Sequence, residues 1–212
     1  MIQELGILFV ESFKGKNAYV HLTAIFVTYI FVVFGIDWQY FLFMNAHAPR
    51  YMLFSADIIG LLFPIFFPVG LVVFGRWKQN ILYVKTGWIL AKTVIVSFSI
   101  ALLYKSIVGR ASPPHHGELI VDTSNQFNFG FLQHSILGGW PSSHATVMFA
   151  IAIALVTLFP RSLCIRIGVY ALAVYIGLGV AIGFHFISDF IAGALIGTVV
   201  GRTVVQKSVH QK

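Results

Sequence analysis

Gly183-Phe184-His185-Phe186-Ile187-Ser188-Asp189-Phe190, running on through Ile191-Ala192-Gly193-Ala194-Leu195-Ile196-Gly197, is an apolar stretch that carries one imidazole and one carboxylate four residues apart. Ionisable side chains are costly in such surroundings and generally serve function. On a helix, positions i and i+4 share a face, so Asp189 can hold one imidazole nitrogen of His185 and leave the other for chemistry. Gly193 and Gly197 form a small-x-x-x-small pattern, expected to pack helices within one chain. The stretch reads as a membrane helix with a site at its beginning.

The rest of the chain agrees. Of 212 residues, 58% are hydrophobic and 10% charged, and the mean hydropathy is +0.87. Soluble domains average ~25% charged residues, which excludes that class. The fold class expected is all-α: a polytopic membrane helix bundle, one domain over residues 1–212. A span needs ~20 residues, so the length suits about six. The hydropathy places them at 18–36, 52–74, 84–104, 143–159, 165–184 and 187–201. Ahead of them, Ile2, Leu5, Leu8 and Phe9 recur at helical spacing and predict an N-terminal amphipathic helix lying at the interface. Glu4 and Glu11, with no basic leader, argue against a cleavable signal peptide. The lone Cys164 excludes an internal disulfide and is expected to be a small core residue.

Basic residues set the orientation. Lys14, Lys16, Arg76, Lys78, Lys85, Arg161, Arg166, Arg202, Lys207 and Lys212 fall on one side, against Arg50, Lys105 and Arg110 on the other, with Lys92 inside a span. The positive-inside rule then makes both termini cytoplasmic and turns the candidate site to the exterior, the periplasm if the membrane is a bacterial inner membrane. The net charge of +7 is mostly this topological signal; no nucleic-acid partner is expected.

A long extracytoplasmic connection, 105–140, holds His115, His116, Glu118, Asp122 and His134 together with Phe127, Phe129 and Phe131. It reads as a lid whose alternating aromatics dip into lipid and whose histidines are solvated. Pro141-Ser142-Ser143 before an apolar run starts a helix, with a serine to cap exposed amides. Such an N-terminus attracts anions. His144 stands there, on the same side as His185, Asp189, Lys105 and Arg110, so a phosphate-handling site at a membrane surface is expected.

These residues resemble the type 2 phosphatidic acid phosphatase superfamily, which also includes vanadium haloperoxidases and glucose-6-phosphatase. The resemblance runs from Tyr104 to Gly197. The family's second block, Pro-Ser-Gly-His, is matched by Pro141-Ser142-Ser143-His144, and its third block by His185 and Asp189, with Ser188 and Gly193 in the usual surroundings. The resemblance implies a metal-independent membrane lipid phosphatase without a cofactor. His185 would be the nucleophile, forming a phosphohistidine, Asp189 its orienting partner and His144 the acid. Lys105, Arg110, Ser142 and Ser143 would bind phosphate. The substrate would be a membrane lipid with a phosphate monoester or pyrophosphate headgroup.

Two departures stand out. Where the family's first block has Arg-Pro after Lys and six residues, this chain has Ser112-Pro113, with Arg110 two residues early. Where the third block opens with Ser-Arg, Leu178 and Gly179 stand. Phosphoryl transfer depends on positioned positive charge, so Lys105, Arg110 and the helix amides suffice, or another cation from the long loop contributes, or activity is lost; the intact His185, Asp189 and His144 favour activity. Two other classes stand beside this one. A non-catalytic lipid-phosphate-binding or transport protein would explain the missing arginines, and a metal-dependent hydrolase would need a loop histidine beside His144, His185 and Asp189. Asp57 is expected to reach the headgroups, with a role in orienting a site cation as the rival reading. Lys92 is expected to snorkel. The residues do not choose the lipid among phosphatidic acid, phosphatidylglycerophosphate, a polyprenyl diphosphate and a lipid A phosphate, nor do they set an oligomeric state.

Overall fold

The structure is a computed structural model and describes residues 2–114, 118–132 and 139–210. Among these, eight helices follow in order: α1 Ile2–Glu11, α2 Lys16–Val33, α3 Ile36–His47, α4 Arg50–Trp77, α5 Ile81–Val108, α6 Ser143–Leu158, α7 Leu163–Val180 and α8 Ile187–His210. By length and composition α2, α4, α5, α7 and α8 suffice to cross a membrane, and α6 is a shorter apolar helix. The polytopic bundle expected from the sequence is therefore the fold. On α4, Leu61, Ile65, Phe66, Val69 and Val73 are exposed, as an outer helix facing lipid requires.

α6 lies at the centre. Met148, Ala150, Ile151, Ala152 and Ala154 are buried there, and its main partner is α8. Glycines make that approach possible: a Cβ at Gly193 would stand 2.6 Å from the Ser142 carbonyl oxygen, and at Gly197 it would collide with Thr146 O. Lipid tails are as apolar as leucine, so membrane helices associate largely through such close backbone packing. Here the packing joins the beginning of α8 to the beginning of α6, and the Ser142 N–H donates to Asp189 O at 3.1 Å.

Several expectations are refined or corrected. α1 is present, but its apolar face docks onto the bundle: Leu8 is buried, Leu5 and Phe9 pack against the core, and Glu4 pairs with Lys92 of α5. Lys92, expected to snorkel, pairs with Glu4 and so ties α1 to α5. Cys164 is exposed on the first turn of α7, outside the core. α3, Ile36–His47, occupies the connection between the first two expected spans. α5 and α8 extend beyond the expected 84–104 and 187–201.

Candidate active site

Four polar segments converge at one end of the bundle: the last turn of α5 and the strand-like segment after it, the start of α6, the α7–α8 turn, and the start of α3. Ser142 caps α6, its hydroxyl accepting from Ala145 N at 3.4 Å, and it is fully buried. Ser143 and His144 follow on the first turn and border an apolar cavity of about 250 Å³ with Gly60, Pro64 and Phe98.

Asp189 is held on both oxygens. Oδ2 accepts from Phe186 N at 3.0 Å and Oδ1 from Arg110 Nη1 at 2.5 Å. His185 Nδ1 stands 3.6 Å from Asp189 Oδ2, beyond hydrogen-bond reach, and has no hydrogen-bond partner among the described residues. Catalytic hydrogen bonds are often this loose without substrate and tighten when it binds. Burial and, next, the Lys105 ammonium lower the His185 pKa to about 4 although Asp189 opposes them, so the ring is neutral near pH 7.

Arg110, expected among the phosphate-binding residues, turns its guanidinium into the protein. All five N–H donors of its guanidinium are matched within the protein: Nε to Ser124 O at 3.2 Å, Nη1 to Ser188 Oγ at 2.8 Å and to Asp189 Oδ1, and Nη2 to Ser124 O at 2.7 Å and to Asp37 Oδ2 at 2.6 Å. The group is fully buried with Asp37 and Asp189, and lies over the Phe186 ring at 4.6 Å. Burial works against its charge, but Asp189 and Asp37 outweigh burial and raise its pKa. Asp37, which the sequence reading did not single out, also accepts from Ser188 N at 2.9 Å and from Ser188 Oγ at 2.6 Å, so it caps the start of α8 from another helix. An acidic residue closing an apolar run, Phe34-Gly35-Ile36-Asp37, was the available signal.

Lys105 is also buried, and its Nζ donates to Gly139 O at 2.9 Å. Asp57 does more than reach outward: its Oδ1 is 3.4 Å from His144 Nε2. The missing arginines leave physical traces. A Cβ at Gly179 would collide with Ala56 and stand 3.1 Å from Met52 O, so the position serves the contact of α7 with α4. Ser112 offers its carbonyl to Thr123 Oγ1 at 3.0 Å. Arg50, counted only for topology, lines a cleft of about 170 Å³ with Pro114, Gly183 and Phe184, next to His185. In the loop, Phe129 and Phe131 are exposed, while Phe127 pairs with Arg110 in an antiparallel bridge. His115, His116 and His134 lie outside the described residues, and with them the extra ligand that the metal-dependent reading requires.

The sequence profile of the PAP2 superfamily matches residues 84–211. Over 125 residues, 58% of this chain, the sequence is 37% identical to a protein named lipid A 1-phosphatase from Rhizobium johnstonii, covering 48% of that protein. It is 36% identical to a protein of the same name from Rhizobium etli, covering 50% of it. The chain thus spans about half the length of the curated relatives it matches. No solved structure matches it. Asp37 and Asp57 precede the segment matched by the profile.

Proposed function

Since the chain belongs to the PAP2 superfamily, we propose that it is a membrane lipid phosphatase releasing phosphate from a lipid monoester or pyrophosphate through a phosphohistidine on His185. The observation that carries this reading is the position of His144, which borders an apolar cavity between α4, α5 and α6 at the same end of the bundle as His185. A leaving-group acid belongs where the lipid part of a substrate meets the phosphate.

Neutral His185 attacks phosphorus through Nε2, while the Asp189 carboxylate accepts a hydrogen bond from Nδ1–H and offsets the positive charge that develops on the ring. A P–N bond forms, the P–O bond to the lipid breaks, and His144 protonates the departing oxygen. His144 then takes a proton from water, the water oxygen bonds to phosphorus, and the P–N bond breaks. Lys105, Ser143 and the first amides of α6 hold the phosphate; Arg110, with every donor matched, acts on Asp189. The basic-residue asymmetry supports a site on the exterior face with both termini cytoplasmic. Among candidate lipids, the names of the two relatives favour a lipid A phosphate.

The same matched donors give the non-catalytic reading one observation in its favour, because fewer cations face the phosphate. Detergent-purified protein offered lipid A, phosphatidic acid, phosphatidylglycerophosphate and a polyprenyl diphosphate separates the readings. Phosphate release from at least one lipid, unchanged by chelator, is expected. Binding without release would favour the non-catalytic protein, and release only after a divalent metal is added would remove the phosphohistidine route.

A further inference from the structure

Helix α4 meets the His144 ring at two points one turn apart. Asp57 Oδ1 approaches Nε2 at 3.4 Å. At Gly60 the ring lies directly on the helix backbone: a Cβ there would stand 2.6 Å from His144 Cδ2 and 2.7 Å from Ile176 Cγ2. Residues 57 and 60 are i, i+3 neighbours and so share a face. The His144 side chain is 23% exposed, and α4 covers one face of its ring.

We propose that Asp57 and Gly60 form a seat for His144, with Asp57 a positioning residue that fixes the ring tautomer and supports the imidazolium of the leaving-group acid. The proposal rests on the phosphatase reading above. With Nε2–H directed at the carboxylate, Nδ1 is left for the reacting centre. In the imidazolium, Nδ1–H is given to the departing oxygen; in the resulting neutral ring, the Nδ1 lone pair accepts the proton of the attacking water. The charged and titratable groups acting on His144 come from three directions, Asp57 on α4, Lys105 on α5 and His185 before α8, and Asp57 alone among them is anionic. Orienting partners of this kind commonly accompany a working imidazole.

The test uses two substrates with the same acyl chain, one with an alkyl ester oxygen that must be protonated to leave and one releasing p-nitrophenolate, which needs no acid. Asp57→Asn should lower kcat/KM on the alkyl substrate by about ten- to a hundredfold, at or below the low end of the ~10²–10⁴ that the acid itself contributes, and should leave kcat/KM on the aryl substrate close to wild type. Asp57→Glu should recover most of the loss. Gly60→Ala, which pushes the ring from its place, should give the same substrate-dependent pattern. In a His144→Ala background, Asp57→Asn should add no further loss. Equal losses on both substrates, full alkyl activity in Asp57→Asn, or additive losses in the double variant would overturn the assignment. If wild type releases no phosphate from either substrate or from the lipid panel, the phosphatase reading itself fails, a result visible without any variant.

Discussion

The two histidines of this site sit beside carboxylates in opposite surroundings. His185 and Asp189 are buried, and Asp189 is held by Arg110, which is itself held by Asp37 and Ser188. His144 and Asp57 are partly exposed, at 23% and 37% of their side-chain surface. The difference matches the work proposed for each. A nucleophilic imidazole must be neutral and fixed, which burial and a rigid partner provide. An acid that later becomes a base must exchange protons with water and meet a lipid oxygen, which burial would prevent.

The comparison is broken most forcefully at Arg110. Removing one partner from a buried charge network leaves the others uncompensated and typically costs ~3–5 kcal/mol. Arg110→Ala should therefore lower thermal stability in detergent sharply and abolish turnover. Arg110→Lys should not rescue it, because a point charge cannot replace a five-donor fork. Asp37→Asn, weakening the same network at one end, should cost less, ~1.5–3 kcal/mol, with kcat falling more than substrate affinity. A stable Arg110→Lys protein impaired only in KM would show that this arginine binds substrate after all.

A smaller effect sharpens the contrast through pH. The neutral form of His185 is the nucleophile, and its lowered pKa of about 4 keeps it neutral over the whole range above that value. As pH falls, kcat/KM should hold and then decline only on approach to about 4, where the ring gains its proton. A limb near the ordinary imidazole value of ~6.5 assigned to His185 would mean that the ring is solvated, as His144 partly is.

Much of this was legible in the chain. The apolar segments, the serine cap of α6 and the glycine face of α8 follow from hydropathy and capping chemistry; the i, i+4 spacing predicts His185 and Asp189 on one helix face, whereas His185 stands in the turn before α8, 3.6 Å from Asp189. Other features were hidden for identifiable reasons. α3 is short and of mixed polarity, so hydropathy does not separate it from its neighbours, and the partner of Asp37 lies 73 residues away. Spacing put Arg110 near the site but could not say that its donors turn inward. The pairing of Asp57 with His144, and of Glu4 with Lys92, joins different helices and exists only once the helices pack.

In the proposed mechanism His185 is the nucleophile at phosphorus and His144 the proton carrier. The most direct test is to mix the p-nitrophenyl substrate with wild type, His144→Ala and His185→Ala, quench, and map phosphopeptides by mass spectrometry under conditions that preserve phosphohistidine. Because this substrate needs no acid to form the intermediate but the intermediate needs a base to hydrolyse, His144→Ala should accumulate phosphate on the peptide containing His185, wild type should show less, and His185→Ala none. Phosphate on any other residue, or label persisting in His185→Ala, would contradict the account.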